Sequence, residues 1–177
     1  MTIHFTGGCA CGTIRYEWSA EPVLAGNCHC RDCQRATGGT CAPLVFVPCS
    51  AGTITGDVKY RDLKGDSGQI VSRGFCPACG SRLFLKAEMM PDLMGIMAGS
   101  LDDPSWFRPT MDIFTASAQP WDFMNPNLPK FPTCHRCSVL MEYSDQATLI
   151  GSLGVALLLL AFLLNVFVFC VWRATRT

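Results

Sequence analysis

Neither sign of charge dominates this sequence. Its 14 Lys and Arg residues balance 14 Asp and Glu residues, and no basic run occurs along its 177 residues. Nucleic-acid binding needs a basic patch or stripe to meet phosphates, so no nucleic-acid partner is expected. The first residues, MTIHFTGGCACG, carry no charged segment and no long apolar core, so no secretory signal is expected. No internal repeat stands out. Helical patterning is scarce before residue 133, where RDCQRAT, Arg31 to Thr37, is the single short helix candidate.

Cysteine, by contrast, is abundant, with 12 in the chain. Seven of them fall in close-set groups: CAC at Cys9 and Cys11, CHCRDC at Cys28, Cys30 and Cys33, and CPAC at Cys76 and Cys79. Such spacing is typical of thiolate metal sites in a reducing compartment rather than of disulfides.

The chain divides near residue 133. Residues 1–132 contain short runs that read as strands: TIRYEW from Thr13, PLVFV from Pro43, VKYRDL from Val58, QIVSRGF from Gln69 and RLFLK from Arg82. DLMGIMAGSL and MDIFT add two more, and Gly, Pro and Asp punctuate between them. Short strands at short intervals predict a mainly β domain.

From Gln146 to Trp172 there is no Asp, Glu, Lys or Arg. A helix over 147–172 would cover on the order of 35 Å, enough to cross a hydrocarbon core. Trp172 suits an interface, and Arg173 and Arg176 follow at once. These arginines favour a short tail on the inner side, which would place the cysteines in an oxidising space. The thiolate sites and the missing signal favour the opposite arrangement. The expectation is therefore a single-pass, tail-anchored membrane protein with its cysteine domain in the cytosol: domain 1–132, linker 133–146, membrane helix 147–172 and basic tail 173–177.

Counting ligands separates the cysteines into two sets. CPAC supplies two ligands from one tight turn inside GFCPACGSRLF, and CAC sits in GGCACGTIRY, also between glycines and against a strand. Pairing Cys9, Cys11, Cys76 and Cys79 completes a four-thiolate site, which is the closed form of a structural zinc centre. Its metal would supply folding energy. Cys28, Cys30 and Cys33 remain. Three thiolates leave a fourth position free for chemistry, unless His29, Cys41 or Cys49 fills it. His29 lies between two ligands and is expected to point away; Cys41 and Cys49 are expected to be ordinary buried thiols. Zinc held by three thiolates is soft and suits a small thiol. Arg31 and Arg35 flank this cluster, and Arg73 and Arg82 flank the CPAC turn; any of them could meet the carboxylates of an anionic thiol, or simply be solvated.

GGCACGTIRY, CHCRDCQRATGG, GFCPACGSRLF, GSLDDP and the PW at Pro120 and Trp121 occur in this order. Over about residues 5–132 the chain resembles the glutathione-dependent formaldehyde-activating family, also called the GFA or CENP-V family. The resemblance implies a β-tent fold with two zinc ions per chain. It implies a structural zinc on Cys9, Cys11, Cys76 and Cys79, and a catalytic zinc on Cys28, Cys30 and Cys33. It also implies a carbon–sulfur lyase that joins glutathione and formaldehyde as S-hydroxymethylglutathione. Relatives often carry His where this chain has Asp112. A tail with CHRC, Cys134 and Cys137, then extends past the usual end of the family's chains; those two read as free thiols or as a further half-site. Cys170 reads as an ordinary membrane-facing cysteine, palmitoylation being the alternative.

Three functions compete. The first is the lyase acting on a glutathione-type thiol–aldehyde adduct. The second is a non-catalytic zinc module that binds a protein partner. The third is a thiol redox protein using CHCRDC without metal.

Overall fold

The computed structural model describes residues 3–65 and 68–133. Two antiparallel hairpins frame it. The first joins β1 (His4–Gly8) to β2 (Arg15–Ser19), and β5 (Gly52–Thr55) adds to β2 to complete a three-stranded sheet in the order β1-β2-β5. The second joins β7 (Ile70–Phe75) to β8 (Arg82–Ala87) and belongs to a larger sheet. That sheet also contains β3 (Leu24–Cys28), β4 (Ala42–Pro48), β6 (Lys59–Lys64), β9 (Leu93–Met97), β10 (Asp112–Ile113) and β11 (Lys130–Phe131). Its order is β11-β10-β3-β4-β9-β8-β7-β6, with only the short β10 paired in parallel to its neighbours. One α-helix, α1 (Arg31–Thr37), follows β3.

The sequence pattern explains most of this. RYEWS alternates, so β2 buries Tyr16 and Trp18 and leaves Arg15, Glu17 and Ser19 outside. APLVFVP is apolar on both faces because β4 is central. Val45 and Val47 enter one core with Phe5, Ile14, Tyr16, Trp18, Leu83, Phe84 and Ile96. Leu44 and Phe46, one residue out of phase, enter a second with Cys28, Cys33 and Ala42. A strand buried on both sides is thus the wall between two cores, the first holding Cys9 and Cys76 and the second Cys28 and Cys33.

RDCQRAT forms the helix that its pattern predicts, with Gly38 in the left-handed region (φ 72°) ending it. The expected strands from Thr13, Pro43, Val58, Gln69, Arg82 and Asp92 are all present in some form, whereas MDIFT contributes only the two residues of β10. LAGNC gives no strand signal in sequence, yet it forms β3, between β4 and β10. Its Gly and Asn conceal it, and pairing on both edges overrides weak local preference.

The GSLDDP segment ties the small sheet to the rest. Gly7 bridges Leu101, and the Asp102 carboxylate accepts from Thr6 Oγ1 at 2.6 Å and from Arg15 Nη1 at 2.9 Å. Tyr16 Oη lies 2.7 Å from Ser100 Oγ.

Among the described residues no helix is long and apolar enough to cross a membrane. The apolar run 147–172, Cys134, Cys137 and Cys170 lie outside the described residues.

Candidate metal centres

Two hairpin turns meet to form the first centre. Cys9 and Cys11 sit in the β1–β2 connection, and Cys76 and Cys79 in the β7–β8 connection. Their four Sγ atoms lie within 4.8 Å of one another. Each turn is built the same way. Gly12 N–H donates to the Cys9 carbonyl at 3.0 Å, and Gly80 N–H to the Cys76 carbonyl at 2.8 Å. Both glycines have positive φ, 77° and 75°, a conformation in which a Cβ is strained. The two turns are also joined directly, by Ala10 N–H donating to Ser81 Oγ at 3.0 Å. Cys9 and Cys76 are buried in the first core, while Cys11 and Cys79 face solvent.

The surroundings favour ionised sulfur at Cys9 and Cys79, whereas Cys11 is pushed up: its bonds from Thr13 pull it down but are outweighed by those with Cys9 and Cys79 and by burial. The Cys9 thiol is brought down to about 5: burial pushes it up, and is outweighed by hydrogen bonds from Thr13 and the Ile14 N–H and by those with Cys11 and Cys76. Cys79 is brought down to about 7, chiefly by Ser81. Thr13 Oγ1 stands 3.1 Å from the Cys11 sulfur and 3.4 Å from that of Cys76. Four thiols in a compact group, two already poised to ionise, fit a tetrahedral thiophilic cation such as zinc.

The second centre lies at the β3–α1 junction. Cys28 ends β3, Cys30 is the N-cap of α1, and Cys33 is in its first turn. The Cys30 sulfur accepts from the Cys33 N–H at 3.3 Å, which satisfies one of the free amides at the helix start. The three Sγ atoms again lie within 4.8 Å of one another. Cys28 and Cys33 are buried and Cys30 is half-exposed, so the group is reached from the Cys30 side. Cys30 is brought down to about 2 because Cys28 and Cys33 share their protons with it. Cys28 is pushed up by its hydrogen bonds with Cys30 and then Cys33. Three thiols this close compete for one negative charge, and only a bound cation lets all ionise together. The donor set therefore also fits zinc.

No fourth ligand joins this group among the described residues. His29 does point away, as its position between two ligands requires. It is 2 % exposed and its Nδ1 donates to Asp122 Oδ2 at 2.6 Å, while Nε2 faces Asp112 Oδ1 at 3.4 Å. Asp112 in turn accepts from Asn27 Nδ2 at 2.9 Å. The Nδ1 bond fastens the cysteine loop to the segment carrying Asp122, and the His29 N–H, donating to the Ile113 carbonyl at 2.9 Å, fastens it to β10. Gln34 adds a second tie, donating from Nε2 to the carbonyls of His29 and Ser117 at 2.6 and 2.9 Å. Sequence reasoning missed Asp122 and Gln34 in these roles; neither belongs to a motif with a recognisable spacing.

Two expectations need correction. Cys41 and Cys49 are half-buried rather than fully buried; each stands at the end of β4, where the strand leaves the core. Arg73 and Arg82 were expected beside the CPAC turn, but both line a small cavity whose wall includes Cys33 of the other centre. Arg73 lies in β7, which leads into the CPAC turn, and Arg82 opens β8, which leads out of it; both reach the cavity that Cys33, Ala36 and Thr37 of α1 also line. Arg31 bonds to Gln34 Oε1, and Arg35, 70 % exposed, reaches Asp32 at 3.8 Å, so the solvated reading holds for Arg35.

A model of the family described as "Glutathione-dependent formaldehyde-activating enzyme" matches residues 4–117, more than half of the chain. A crystal structure of a Rhodobacter sphaeroides protein is similar at 18 % identity, covering 71 % of this chain and 98 % of that one, with a TM-score of 0.46.

Proposed function

The chain belongs to the glutathione-dependent formaldehyde-activating enzyme family, and on that footing we propose that it is a zinc-dependent carbon–sulfur lyase. Its reaction is the joining of glutathione and formaldehyde as S-hydroxymethylglutathione, or the cleavage of that adduct. The observation that carries this reading is the cluster of Cys28, Cys30 and Cys33, three sulfur ligands with no fourth among the described residues. Structural zinc is closed by four protein ligands, whereas catalytic zinc keeps a position free. The four-thiol group is accordingly the structural centre and the three-thiol group the catalytic one, giving two zinc ions per chain.

When bound at Cys28, Cys30 and Cys33, zinc supplies a soft Lewis acid with affinity for sulfur and the power to lower a thiol's pKa. The chain's own residues supply position. Half-exposed Cys30 marks the side of approach, and the His29–Asp122 and Gln34–Ser117 bonds hold the loop that carries Cys28 and Cys30. The new bond joins the thiol sulfur to the aldehyde carbon, and the thiol proton ends on the aldehyde oxygen as a hydroxyl. No oxidant is needed. Bringing two small reactants together in one orientation is the main source of acceleration. Attachment to a membrane through residues 147–172, with the zinc domain in the cytosol, belongs to the same proposal on sequence grounds alone.

The test measures how fast glutathione and formaldehyde exchange with their adduct, by NMR, with and without the full zinc-loaded chain. The expected result is acceleration that Cys30→Ser abolishes. Zinc binding with no acceleration would refute the formaldehyde reaction and favour another adduct or a non-catalytic module that binds a protein partner. Equal acceleration by the metal-free chain would refute the role of zinc, and thiol–disulfide exchange catalysed by the metal-free chain would indicate a thiol redox protein.

A further inference from the structure

A zinc-held thiol would explain sulfur recognition but not which thiols are accepted. Arg73 on β7 and Arg82 on β8 line a cavity of about 10 Å³ together with Cys33, Ala36, Thr37 and Met97. Arg73 is 5 % exposed, and its Nη1 is buried without a hydrogen-bond partner. Neither arginine forms an ion pair with a carboxylate among the described residues. The two guanidinium groups feel each other: Arg82 is held below its usual range first by burial and then by the charge of Arg73, with Cys33 acting in the opposite sense.

A buried guanidinium with an unpartnered Nη1, sharing a cavity wall with a second, half-buried one and with no acid between them, is a costly arrangement. It is sustained where an anion completes it. The cysteine centre offers part of that charge, since Cys33 lies in the same cavity wall. A divalent cation on three thiolates leaves a net charge of only about −1 against two guanidinium groups. The cavity has room for about one water-sized group, which suits a carboxylate oxygen and not a bulky anion. Guanidinium presents the planar fork that a carboxylate matches.

We infer that Arg73 and Arg82 form an anion subsite that takes a carboxylate of the thiol substrate, so that the centre selects thiol acids over neutral thiols. The inference rests on the reading of the three-cysteine centre as a thiol site.

The experiment is titration calorimetry on the full zinc-loaded chain with three probes: 3-mercaptopropionate, its neutral amide 3-mercaptopropionamide, and propionate. The expected result is that the thiol acid binds about tenfold tighter than the amide, the size of one charge-assisted bond. In Arg73→Gln and in Arg82→Gln that preference falls to within about twofold, with amide binding unchanged. Arg73→Lys keeps the charge without the fork and retains an intermediate preference. Half-buried Arg82 is the safeguard should Arg73→Gln fail to fold. Equal binding of acid and amide by the native chain would overturn the subsite while leaving the thiol reading intact. So would a loss of both ligands together in the variants, which would mean that the arginines serve only as counter-ions to the cysteines. Propionate binding as tightly as the thiol acid would preserve the subsite and overturn the thiol reading. Binding of neither acid would overturn both.

Discussion

Replacing Cys76 by Ser and Cys30 by Ser removes one thiolate from each centre, yet the two changes are expected to differ sharply in stability. Cys76 is fully buried within the core that holds Trp18, Phe84 and Ile96. A serine there places a hydroxyl in that core at a cost of about 1–3 kcal/mol if it finds no partner. It also opens the four-thiol group that joins the β1–β2 turn to the β7–β8 turn. A structural zinc supplies about 10–16 kcal/mol in small zinc-dependent folds. Losing even a third of that removes much of the about 5–15 kcal/mol by which ordinary domains are stable. Cys76→Ser should therefore unfold the domain or lower its midpoint drastically. Cys30 is half-exposed and caps α1 through its sulfur. Serine is a good cap, so the helix start itself should lose no more than about 1 kcal/mol, the linkage of the released zinc being a separate loss. The assay is guanidinium unfolding of the zinc-loaded chain, followed by tryptophan fluorescence, to which buried Trp18, packed against Tyr16 and Phe84, contributes with three other tryptophans, with zinc content measured in parallel. Cys30→Ser should hold one zinc fewer and still unfold cooperatively, well above the midpoint of Cys76→Ser. Equal damage by both substitutions would refute the division into a structural and a catalytic centre.

Further perturbations test other parts of the argument. Asp122→Asn removes the charged acceptor of His29 Nδ1 and should cost about 1–3 kcal/mol in chemical denaturation; a neutral outcome would mean that the clamp does not hold the cysteine loop. Gly80→Ala meets no neighbouring atom but forces a Cβ onto a backbone with φ 75°, so the expected loss is about 1–2 kcal/mol, read as a lower melting temperature. The uncharged run 147–172 predicts that the full chain stays with the membrane pellet after alkaline carbonate extraction; release into the supernatant would count against a span.

The cysteine centres were legible in the sequence because ligand spacing is a local property. Two residues apart in CAC and three apart in CPAC are the separations that a tight turn with a left-handed glycine brings onto one side, and CHCRDC places its last ligand in the first turn of α1. Alternation in RYEWS and the double-faced apolar run in APLVFVP likewise followed from side-chain periodicity within one strand. β3 did not, because LAGNC is held by its neighbours on both edges.

By itself, then, the sequence determined which cysteines act as groups, that the domain is mainly β, and where α1 begins and ends. Only the tertiary structure decided that the two knuckles meet across two sheets, that His29 is fastened to Asp122 and to the Ile113 carbonyl, and that Arg73 and Arg82 share a cavity wall with Cys33. Each of these depends on residues far apart in the chain. Which charge faces which cavity is set by strand order and direction, and burial then makes an uncompensated charge matter far more than it would in water.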